Sequence, residues 1–128
     1  MRFSVLRWAA ILFAVLAGCG GHRYPDEVRA IVDRAADSLN RMSQLQFEMT
    51  ERIHSGGLEG DEVNSYQQGI QIAEVEYRAA CAELEVAADE HGLSIFALLD
   101  EVSARTAAHT RNLRKKYPKA SRAMPESK

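Results

Sequence analysis

Apolar positions recur at alternating steps of four and three through Val28, Val32, Ala35, Leu39, Met42, Gln46, Met49 and Ile53, with Ile31 and Leu45 widening the stripe. That period predicts an amphipathic helix with a coiled-coil-like seam, in which Gln46 is the one polar member. Pro25 suits the first turn because no N–H is needed there, and Asp26 and Glu27 complement the positive helix end. His54-Ser55-Gly56-Gly57 stops the run, and Leu58-Glu59-Gly60 completes a short loop. The same spacing restarts after Asp61, the expected N-cap, through Val63, Tyr66, Ile70, Ala73, Tyr77, Ala80, Leu84, Ala87 and His91. Ala73, Ala80 and Ala87 would let a neighbouring backbone come close. Ile72, Val75 and Val86 fall off this line and predict burial on a second side, as in a helix touched by two neighbours. Gly92 ends the segment. Ser94 caps a third helix, with Leu93 positioned to staple onto Leu98. Its stripe is Ile95, Leu99, Val102, Thr106, His109 and Leu113, with Phe96 and Leu98 at the rim. Pro118 disfavours helical geometry in the residue before it, so this helix is expected to end at Tyr117.

At 1.5 Å per residue the three stripes correspond to helices of roughly 35 to 45 Å joined by short loops. The expected fold is all-α, either an antiparallel three-helix bundle or a long helical hairpin with a third helix, spanning residues 25–117. Residues 118–128 lack apolar periodicity and read as a flexible basic tail. No alternating strand pattern and no internal repeat of 20 to 50 residues is present in the sequence.

The first 19 residues have another design. Arg2 and Arg7 precede an apolar run from Trp8 to Leu16, and the small residues Ala17 and Gly18 stand immediately before Cys19. The run is about half of what crossing a bilayer requires. Leu16-Ala17-Gly18-Cys19 resembles the lipobox of bacterial lipoproteins. The resemblance implies a signal peptide over residues 1–18, forming a helix, with cleavage between Gly18 and Cys19 and diacylglyceryl transfer to the Cys19 sulfur. It also implies that residues 19–24 are a lipidated tether, and that Gly20, standing where an Asp favours inner-membrane retention, sorts the protein to the outer membrane in a Gram-negative cell. Five residues from Gly20 to Tyr24 reach less than about 18 Å, so the first helix would begin close to the lipid.

Removing residues 1–18 leaves 110, enough for one small domain, and takes the net charge from −2 to −4 because Arg2 and Arg7 leave too. The charge is segregated. From Glu48 to Glu101 there are 13 acidic residues against Arg52 and Arg78, whereas from Arg105 onward there are eight basic residues against Glu126. With Cys19 a thioether, Cys81 is the only thiol and no intramolecular bridge can form. Cys81 reads as a small hydrophobe on a helix, with an intermolecular disulfide or a reactive thiol as alternatives.

Candidate chemistry is sparse. His22, His54, His91 and His109 share no i, i+3 or i+4 spacing, so no helical metal-ligand pair is expected. Glu74 and Glu76, Glu83 and Glu85, and Asp89 and Glu90 stand one or two apart and do not face each other on a helix, which reads as a solvated acidic face. Phosphate loops, nucleophile elbows and Cys-x-x-Cys motifs are missing from the sequence, so no catalytic residue, cofactor or metal is expected. The basic end, Arg111, Arg114, Lys115, Lys116, Lys119 and Arg122, is the candidate contact region. It reads as cations offsetting a helix dipole, as an attraction for anionic surfaces, or, least favoured for an exported chain, as a nucleic-acid contact. Lys128 adds a similarity to Braun-type murein lipoprotein, in which a C-terminal lysine joins peptidoglycan. That family is one continuous trimeric helix ending Tyr-Arg-Lys, whereas this chain is interrupted at glycines and ends Glu126-Ser127-Lys128.

These features together lead to the expectation of a non-enzymatic envelope lipoprotein. It would be held at the membrane by lipid on Cys19 and contact an envelope protein or peptidoglycan, not nucleic acid. The alternative is a periplasmic small-ligand or metal-binding helical module using Tyr66, Tyr77, His91 or His109.

Overall fold

The computed structural model describes residues 24–125, and all of its regular structure is helical. The expected signal segment, the expected cleavage position between Gly18 and Cys19, the expected lipidation site Cys19, and Lys128 lie outside the described residues. Helix α1 spans Asp26–His54, α2 Gly60–His91, α3 Ile95–Lys116 and α4 Pro118–Ala123. No helix among the described residues is long and apolar enough to cross a membrane.

The helix ends follow from local chemistry. Ser94 Oγ accepts a hydrogen bond from Ala97 N–H at the start of α3, as an N-cap should. Gly92 is left-handed at φ 64°, and Leu93 N–H returns to Ala88 O at 2.8 Å, which closes the end of α2. Gly56, at φ 74°, lets Gly57 N–H return to Arg52 O at 3.1 Å after α1. Asp61 is not the cap of α2. The helix begins one residue earlier at Gly60, after Glu59, and Asp61 contributes its charge within the first turn.

Cross-helix ion pairs mark the directions of the helices. Arg52 pairs with Glu62, Arg41 with Glu76 at 2.8 Å, Arg34 with Glu83, and His91 approaches Glu27 at 3.4 Å. Ascending positions on α1 meet descending ones on α2, so the two are antiparallel. Asp33 meets Arg105 and Glu48 meets Tyr117, so α3 runs parallel to α1.

Helix α1 is the centre of the molecule. It packs against α2, α3 and α4, whereas α3 meets α2 only briefly. Val28, Ile31, Val32, Ala35 and Ala36 of α1 form one core with Ala80, Leu84, Ala87 and Ala88 of α2 and Leu98 and Val102 of α3. Phe47, Leu113 and Ala120 form a smaller core at the other end.

Two expectations are corrected. The helix with neighbours on two sides is α1, not α2, and Ile72, Val75 and Val86 are solvent-exposed. The alanines of α2 draw it against α1 on one face, and α3 settles into the groove beside Val28, Val32 and Ala35, so the opposite face of α2 has no cover. Residues 118–123 are a docked helix, not a flexible tail: Pro118 supplies a first-turn residue without an N–H, and Ala120 is fully buried.

Candidate functional site

The basic end is built where α3 breaks at Tyr117 and α4 folds back toward α1. Glu51 of α1 accepts a hydrogen bond from Ala120 N–H at 2.7 Å, which places a carboxylate on an otherwise unsatisfied donor of the first turn. Tyr117 Oη donates to Glu48 at 3.3 Å. Arg114 is half-buried beneath the turn and donates to Met124 O at 2.9 Å and to Ser121 O and Oγ at 3.3 Å. Its guanidinium also lies 5.6 Å from the centre of the Phe47 ring. Arg114 is therefore a strut of the fold.

The other basic residues remain outward. Arg111, Lys115, Lys116, Lys119 and Arg122 are exposed. Lys119 Nζ donates to Ser55 Oγ at 3.2 Å, and Lys116 lies 5.3 Å from the Tyr117 ring centre. A shallow cleft of about 410 Å³ opens between His54, Lys119, Arg122 and Ala123. The candidate residues thus converge on one end of the molecule. Phe47, Glu48 and Glu51, which hold α4 there, carry no signal in the sequence, because nothing local says where a six-residue segment after a proline will land.

The candidates for a ligand module are not gathered. Tyr66 sits under Arg52, whose charged form is favoured chiefly by the Tyr66 hydroxyl, is opposed next by desolvation, and gains further support from Glu62. Tyr77 packs against the main core beside Cys81. Burial first, and then the Cys81 hydrogen bond, push its phenol above the ordinary tyrosine range. His109 places a buried Nε2 on α3 with no hydrogen-bond partner in the protein, as does Asn40 Oδ1 on α1.

At the opposite end, Glu27, Glu90 and His91 bring ligand atoms within 4.8 Å of one another, and all three are exposed. This convergence was invisible from spacing, since Glu27 reaches the other two only through helix pairing. A groove of about 540 Å³ runs beside it between α1 and α2, floored by Ala30, Ile31, Ala82, Val86 and Ala87 and edged by Glu27, Arg34, Glu83 and Glu90.

Comparison with protein-family models, curated proteins and solved structures finds no match to this chain.

Proposed function

We propose that this chain is a lipid-anchored protein of the bacterial cell envelope with a non-enzymatic, interaction role, held through Cys19 and, in a Gram-negative cell, facing the periplasm from the outer membrane. The observation that carries this reading is Leu16-Ala17-Gly18-Cys19 at the end of a short apolar run behind Arg2 and Arg7. The helical body supports it as a compact unit whose first helix starts seven residues after the cysteine and whose described residues offer helix surfaces and open grooves. Its partner is an envelope protein or peptidoglycan, and the outward cations of the basic end, roughly 40 Å along the rod from the anchored end, suit an acidic partner.

Replacement of Cys19 by Ser tests the anchor. The wild type is expected in the membrane fraction and labelled by a palmitate analogue, and Cys19→Ser is expected in the soluble fraction without label. Retention of the variant on membranes would overturn the reading. The alternative, a small-ligand or metal-binding helical module, draws less support, because Tyr66, Tyr77, His91 and His109 occupy four separate surroundings. Titration with zinc is expected to leave the thermal midpoint unchanged, and a rise that His91→Ala abolishes would favour the module instead.

A further inference from the structure

Helix α2 carries two apolar stripes, and only one is used inside the molecule. Ala73, Ala80, Leu84 and Ala87 are buried. Turned away from that stripe, Ile72, Val75, Ala79, Ala82 and Val86 follow steps of three, four, three and four, and every one is exposed, with Ala82 and Val86 also lining the groove beside α1. Val75 retains 67% of its accessible surface and Val86 58%. Single exposed apolar residues are ordinary, but a four-turn seam at coiled-coil spacing is a surface made for another helix.

We propose that this seam is occupied by the same seam of a second copy of this chain, running antiparallel, a contact that goes beyond the interaction role proposed above and is separate from the basic end. From Val75 to Val86 the pattern of side chains is self-complementary about a point between Ala79 and Ala82, and Ile72 falls opposite Asp89 at each edge of the pairing. In an antiparallel pairing Val75 of each copy meets Val86 of the other, and Ala79 meets Ala82. Two alanine layers lie at the centre, where backbones can approach closely, and a valine layer lies at each end. A two-fold interface requires that each contact be repeated by its mirror partner, and this order of large, small, small, large satisfies it.

The charges bordering the seam fit the same direction. On one border Arg78 and Glu85 stand one heptad apart, so the antiparallel pairing sets Arg78 of each copy beside Glu85 of the other. Arg78 is now joined only to Glu74 of its own helix, at 2.7 Å, and Glu85 has no ion-pair partner among the described residues. On the other border Glu76 and Glu83 are already neutralised by Arg41 and Arg34. A parallel pairing would set Arg78 beside Glu83, which Arg34 already holds, but would set Glu85 against Glu90 and Asp89 against Asp89, which repel.

Cysteine crosslinking distinguishes the arrangements. In the full chain, purified in mild detergent with Cys19 and Cys81 both replaced by Ser, Val75→Cys and Val86→Cys are made separately, then mixed and oxidised. The mixture is expected to give a disulfide-linked dimer and each variant alone to give none, because like positions lie about 16 Å apart along the axis. Self-crosslinking of each variant alone would establish a parallel pairing and overturn the proposal, and so would the absence of dimer throughout. Independently, Arg78→Glu is expected to weaken association about fivefold, and Arg78→Glu with Glu85→Arg to restore it. Failure of restoration would also count against the antiparallel register. All of these positions are exposed, and a retained helical circular dichroism spectrum verifies folding. Because Cys19 is Ser throughout, the outcome is independent of the membrane fractionation, so either reading can fail without the other.

Discussion

Leu84 has no solvent exposure and lies in the cluster shared by α1, α2 and α3. Truncation there removes apolar contacts from three helices at once, so Leu84→Ala is expected to cost about 2–5 kcal/mol and lower the thermal midpoint by roughly 10 °C or more. His109 pulls the other way. Its buried Nε2 has no partner in the protein, and a buried polar group left unpaired costs about 1–3 kcal/mol. His109→Leu is therefore expected to raise the midpoint in the same melting experiment, and a lower midpoint would show that the imidazole is satisfied in solution. Gly69 marks a close approach, since a Cβ there would stand 3.0 Å from Leu45 Cδ1. Periodicity identified Val28, Val32, Ala35, Ala80, Leu84 and Val102 as core, and they are buried. It missed Ala36, Ser38 and Phe47, which are buried because α1 has neighbours on more than one side, while a single dominant period reports only one face.

Helix boundaries were legible because their causes are local. Gly92, Ser94 and Pro118 act within a turn of themselves, and the ends they predict are observed to within a residue. The choice of buried face was not legible for α2, because two apolar stripes of equal period compete and only the position of α1 decides between them. Helix α4 was illegible for a related reason. It is six residues long, and its stability comes from Glu51 and Phe47, both distant in sequence, together with Leu113 on the preceding helix. Ala120→Asp is accordingly expected to detach α4 with little effect on the rest of the helix content. Hydrogen exchange should show faster exchange in residues 119–124 and at Tyr117, with Ala80–Ala88 unchanged. Glu51→Gln, which keeps the hydrogen bond and loses the charge, should produce a smaller version of the same change.

The molecule as a whole is a rod with unequal ends. One end buries most of the core, and the other is closed by Phe47, Leu113 and Ala120. Fewer buried contacts mean cheaper local opening, so the second end is expected to exchange amide hydrogen through sub-global openings well before the first. Uniform protection along α1 would contradict this. The candidate contact residues were legible as a charge run, Arg111 to Arg122, but the sequence does not reveal that Arg114 is spent inside the fold while its neighbours stay outside. The docking of α4 also alters the character of that end. A chain of cations on a loose segment attracts by charge density alone and adapts to any polyanion. With Lys119 and Arg122 on one short helix, and Arg111 and Lys115 one turn apart on α3, the cations stand at set intervals, as in a comb, for as long as α4 is docked. In the role proposed above, such a comb would favour a partner whose anionic groups match its interval, so two polymers of equal charge but different repeat length would be told apart.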